Sequence, residues 1–161
     1  MLLELETWEL LSYIVTVVGL PLGIGVFIYQ QRRERANEED EVYQLLSDNY
    51  QDFLRVVLEN PDLRLFYAPR TLDLTEEQRE RMAVIFSMLI SLFERAYLLI
   101  YDPPMPDDRL RRWRSWEDYM REWCAREDFR QMLPELLSGE DPGFAVYIKA
   151  LAANDRQPAN T

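Results

Sequence analysis

The sequence has no histidine, one cysteine (Cys124), one lysine (Lys149) and five glycines among 161 residues. Each shortage excludes something. Without histidine the chain lacks the usual proton shuttle, the commonest metal ligand and the base of most nucleophilic triads. A lone cysteine rules out a disulfide framework and any cysteine-based zinc or iron–sulfur site. With 48% hydrophobic and 29% charged residues the chain is neither low-complexity nor disordered overall. Positive charge is also short. Against 29 acidic residues stand 18 basic ones, a net charge of −11, which argues against nucleic acid as a partner because phosphate binding needs excess Arg and Lys. Phosphate-loop, dinucleotide, zinc-protease and nucleophile-elbow motifs are absent. No catalytic residue, metal ligand or cofactor-binding residue is identified, and the chain is read as a non-enzyme without a cofactor.

What the sequence does have is an uncharged run over 10–29, LLSYIVTVVGLPLGIGVFIY. At about 1.5 Å per residue, a helix of this length matches a hydrocarbon core of roughly 30 Å. Trp8, Tyr13, Phe27 and Tyr29 lie near its ends, where amphipathic rings prefer to sit. Two alternatives compete with a transmembrane helix. A buried soluble helix rarely runs so long without a charge. A cleaved signal peptide needs a basic flank before its apolar core and a small-residue cleavage site after it. Here residues 1–9 carry Glu4, Glu6 and Glu9 and no basic group, while 30–36 carry Arg32, Arg33 and Arg35. Positive charge stays inside, so these arginines set topology or contact lipid headgroups. They predict a short extracytoplasmic N-terminus (1–9), a span in the inner (plasma) membrane (10–29), a basic flank or stalk (30–36) and a cytoplasmic domain. Within the span Gly19 and Gly23, with Gly25 nearby, have the small-residue spacing that lets helices pack closely. Pro21 is expected to bend the helix.

The rest is acidic and helical. Residues 37–152 read as an all-α bundle and 153–161 as a disordered tail. A first stripe, Val42, Leu45, Leu46, Tyr50, Phe53, Leu54 and Val57, ends at Asn60-Pro61. No Pro or Gly separates it from the end of the span, so the membrane helix either continues into it or breaks at Asn37. Thr75-Glu76-Glu77-Gln78 is a capping box opening a helix that is apolar over most of its circumference from Met82 to Tyr101, the expected centre of the bundle. Glu94 and Arg95 in its middle third argue against a second span, since each would cost about 2.5–3.5 kcal/mol at the bilayer centre. A third stretch, 107–137, is expected to kink at Ser115 and break at Pro134. Gly139 reads as a helix C-terminal residue, and Asp141-Pro142 as the start of a last helix.

Two constellations merit weighing as sites. Ser87, Ser91, Glu94 and Arg95 form a polar strip on the central helix, either a pocket or subunit seam, or a narrow solvent face with an exposed pair, or a place where Glu94 hydrogen-bonds a neighbouring Arg or Trp. Arg109, Arg111, Arg112 and Arg114 surround Trp113, a pattern that suits anionic lipid or a protein partner, or else pairs with the chain's own acidic groups. For acid–base chemistry two interacting carboxylates would be needed, and the spacing reveals no such pair.

The order of parts, with QQRRER, LISLFERAYLL and RRWRSWEDYMREWC as its landmarks, resembles small uncharacterised bacterial single-pass membrane-anchored all-helical proteins of the domain-of-unknown-function type. It is similar, more loosely, to membrane-anchored accessory proteins of RNA-targeting CRISPR loci, which carry HEPN-like helical domains and assemble into pores. HEPN nucleases need a motif histidine that this chain lacks, so the likeness implies no nuclease. The expectation is an anchored interaction domain that forms a homo-oligomer or binds a protein partner. The alternative is an oligomeric membrane pore or effector, or an accessory protein of a bacterial defence system.

Overall fold

The computed structural model describes residues 20–66 and 68–154, and these are all-helical. Five α-helices follow in order: α1 (Leu20–Glu59), α2 (Glu76–Ile100), α3 (Asp107–Cys124), α4 (Glu127–Leu136) and α5 (Pro142–Asn154), with a 3-10 turn at Pro61–Leu63. No strand occurs among the described residues. Two compact units divide the chain, Met1–Val42 and Tyr43–Thr161.

Of the first unit only the N-terminal part of α1 falls within the described residues. The helix runs without interruption through Asn37, so the break considered there is absent. Residues 10–19 of the expected span, including Gly19, lie outside the described residues, as does any bend that Pro21 imposes on them. Among the described residues, Leu22, Ile24, Val26, Phe27, Ile28 and Tyr29 are 44–67% exposed.

The second unit is a bundle built round α2. Thr75 caps α2 as expected: its hydroxyl accepts from the Gln78 N–H (3.2 Å), and the Gln78 side chain accepts from the Thr75 N–H (3.0 Å). The inner face of α2, with Phe86, Leu89, Ile90, Phe93 and Ala96 fully buried, meets α3, α4 and α5. Aromatic rings surround it. Phe86 lies edge-on to Phe129 of α4 (5.1 Å) and to Trp123 of α3 (6.3 Å). The C-terminal part of α1 packs on α3 through Tyr50 against Trp116 and Phe53 against Trp123, and the Trp123 indole donates to the Tyr50 hydroxyl (3.2 Å). Burial pushes the Tyr50 phenol up to about 12, against a weaker opposing effect of that indole. Although α2 is long and apolar enough to cross a membrane, its inner face is the core of this bundle.

Several local expectations change. α2 is not buried all round, because α3, α4 and α5 cover one side and leave Val84, Met88, Leu98 and Leu99 45–58% exposed. α3 runs straight through Ser115, and the break falls instead at Ala125–Arg126. Arg126 takes an extended backbone, and its guanidinium turns inward to donate to the carbonyls of Arg64, Leu65 and Ala68, to the Thr71 hydroxyl and to Asp128. Pro134 sits inside α4, which continues to Leu136. It lies in the last turn, where its missing N–H removes a single helical bond. Gly139 does take the left-handed conformation (φ 97°), and Asp141 caps α5 by accepting from the Phe144 N–H (2.9 Å). The last helix reaches Asn154, past the expected start of the tail, and residues 155–161 lie outside the described residues.

Phe86→Ala removes a fully buried ring at the junction of α2, α3 and α4 and should cost about 3–5 kcal/mol. Val84→Ala, on the exposed side of the same helix, should change stability by less than about 0.5 kcal/mol. Thermal melts of the two full-length variants check the pair, and equal losses would place the core elsewhere.

Candidate interaction site

The arginine-rich start of α3 does not form one surface. Trp113 is buried, with its indole N–H donating to the Tyr147 hydroxyl (3.0 Å) and its ring against Tyr101 (4.9 Å), so it is not displayed between the arginines. Arg109 lies 3.9 Å from Asp102, and the Arg112 guanidinium lies over the Tyr43 ring at 5.4 Å. Arg111 and Arg114 are exposed. Within this cluster the chain's own acidic and aromatic groups therefore engage Arg109 and Arg112.

Behind Trp113 lies a polar relay. The Tyr147 hydroxyl donates a hydrogen bond to Glu117 (2.7 Å), and Glu117 also accepts from Arg121 (2.5 Å). Burial alone would raise the Glu117 carboxyl, but the Tyr147 hydroxyl and the Arg121 guanidinium hold it below the usual carboxylate range. Burial, then the adjoining carboxylate, push the Tyr147 phenol well up. The relay satisfies polar atoms between α3 and α5.

The polar strip on α2 divides. Ser87, Ser91 and Arg95 are exposed, and the Ser87 hydroxyl turns back to the Ala83 carbonyl (2.9 Å). Glu94 is half-buried and faces the start of α5, where its carboxylate accepts from the Asp141 N–H and hydrogen-bonds the Glu140 side chain. Sequence spacing revealed no carboxylate pair; the fold builds one across 46 residues of sequence. The hydrogen bond to Glu94, then desolvation, raise Glu140 from 4.5 to about 7. Gly143 fits this corner because any Cβ there would come within 3.1 Å of both Asp141 and the Tyr97 hydroxyl. The one clue in the sequence was a carboxylate standing alone on an apolar helix.

Also missed was Arg126, the buried cation that ties the 64–71 loop to α4; nothing local marks it. Gly23 and Gly25 of α1 face open space, with no atom within 4 Å of an added Cβ. Arg32, Arg33 and Arg35 all fall within α1. Cys124, the single cysteine, is buried. No group of three His, Cys, Asp or Glu side chains converges on a metal-sized site among the described residues. Comparison with protein-family models, with curated proteins and with solved structures gave no match.

The Glu94–Glu140 pair sets a pH dependence. Glu140 holds its proton more tightly in the folded chain than in the unfolded one, so its stabilisation is complete below about pH 4.5 and is lost as pH rises through about 7. Relative to Glu140→Gln, which keeps a donor at all pH values, the native chain should lose melting temperature between about pH 5 and about pH 8. Parallel pH profiles of the two chains would refute the pairing.

Proposed function

We infer that this chain is a single-pass membrane-anchored protein whose helical domain is a non-catalytic, cytoplasmic interaction module. One observation carries the anchor: consecutive apolar side chains from Leu22 to Tyr29, excepting the glycines, are exposed all round α1 and continue an uncharged run begun at Leu10. A helix that is apolar on every side needs an apolar surrounding, and for 20 uncharged residues a bilayer supplies it. Arg32, Arg33 and Arg35 on the C-terminal flank, against three glutamates on the other, orient the N-terminus outward. Residues beyond 36 carry a net charge of −10, which an anionic leaflet repels.

The interaction role is supported by how the polar chemistry is used. Glu117, Tyr147, Arg121, Arg126 and Asp128 bind one another or the backbone, and the thiol is buried. Outward on the bundle lie large apolar side chains, Val84, Met88, Leu98 and Leu99 among them, the material of protein contacts. Gly19 and Gly23 offer the span a further close-packing face towards another copy.

Alkaline phosphatase fused after Thr161 should be inactive, and a fluorescent reporter at the same position bright. Replacing Arg32, Arg33 and Arg35 together by Glu should produce mixed orientation. An active phosphatase on the unmodified chain would reverse the topology, and release of the chain by alkaline carbonate would remove the anchor.

A further inference from the structure

The outer face of α2 has no cover within the chain. Val84, Met88, Leu98 and Leu99 lie there, 45–58% exposed, and together with Ser87, Ser91 and Arg95 they recur at three- and four-residue spacing along one side of the helix. Between them Ser87 and Ser91 keep the middle of the stripe low. A charge flanks each end of the 84–91 part, with Leu98 and Leu99 lying beyond the second of them. Glu80 and Arg95 are both exposed on this face, and neither has an ion-pair partner among the described residues. They stand 15 positions apart, about 22 Å along the axis.

We propose that a second copy of this chain docks on this face, α2 against α2, antiparallel about a two-fold axis passing between Ser87 and Met88. This rests on the reading of the bundle as an interaction module and names its partner. The charges select the occupant. A partner with an acid opposite Arg95 and a base opposite Glu80 at the matching separation is favoured over one without them. An antiparallel copy supplies both by construction, and the two-fold repeats the pair. The register that sets Arg95 against the partner's Glu80 also sets Val84 against the partner's Ser91, and Ser87 against the partner's Met88. Between the two charge pairs large side chains thus meet small ones, allowing the two helices to approach closely there, while Leu98 and Leu99 fall opposite the partner's Glu77 and Glu76. A parallel pairing would instead place Arg95 beside the partner's Arg95 and Glu80 beside the partner's Glu80.

Disulfide trapping on the full chain in detergent tests this register. In one helix positions 84 and 91 are about 10 Å apart along the axis, too far for a bond within a chain. Val84→Cys with Ser91→Cys should therefore give a covalent dimer under mild oxidation, at about ten times the yield of either single variant. Adding Glu80→Arg should cut that yield about tenfold by setting like charges together, and adding Arg95→Glu to it should restore the yield. All these positions are exposed, so circular dichroism should be unchanged throughout. Equal trapping of the single variants, no trapped dimer, or trapping indifferent to the charge reversals would each overturn the proposal. The assay reads the α2 contact wherever the chain fractionates, so failure of this dimer and failure of the membrane anchor are told apart. Packing of the spans alone would not show the charge dependence.

Discussion

Apolar side chains occur round the whole of α2, but three helices cover only one side of it. That constraint governs the bundle. Phe86, Leu89, Ile90 and Phe93 take the covered side, and the aromatic rings of α1, α3, α4 and α5 converge around or beside them. The opposite side is left with four large apolar residues, two serines, Glu80 before them and Arg95 between Met88 and Leu98. The N-terminal part of α1 presents the same imbalance in a stronger form, since there almost every side chain is apolar and exposed. Hydrophobic burial is non-directional and scales with area, so uncovered apolar surface of this extent implies a cover from outside. For α1 the uncharged length and the arginine flank favour lipid. For α2 the separated opposite charges favour another copy.

Polar groups inside the bundle tie its elements together. Burying a guanidinium is costly unless its donors are used, and Arg126 uses them on three backbone carbonyls, a hydroxyl and Asp128. This fixes the 64–71 loop against α4 and explains why the helix breaks at Ala125. The Glu94–Glu140 contact does the same at the other end of α2, but only while one carboxyl keeps its proton. The bundle thus carries a pH-sensitive joint beside the start of α5, on a chain otherwise dominated by negative charge.

Local features were legible in the sequence, and distant partnerships were not. Thr75 and Gln78, Asn60-Pro61, Gly139 and Asp141-Pro142 mark helix ends through bonds or backbone angles set within a few residues, and each is found where expected. Arg126 and Glu140 find partners 46 to 62 residues away, which periodicity does not register. Pro134 misled because a proline near a helix end costs less than one at its centre. Trp113 satisfied two patterns at once, an arginine-flanked aromatic and a member of the Trp113, Trp116, Met120, Trp123 stripe; packing selected the stripe. The apolar circumference of α2 suggested burial on all sides, because sequence counts the apolar residues of a helix and not the neighbours available to cover them.

A copy docked on the outer face of α2 would cover that face in the working protein. Methionine oxidation, read residue by residue by mass spectrometry on the full-length chain in detergent, tests it directly. Met82 on the inner face is 5% exposed and Met88 on the outer face 45% exposed within one chain. With the face covered, Met88 should be protected nearly as well as Met82. Rapid oxidation of Met88 alongside a protected Met82 would show an open face and contradict it.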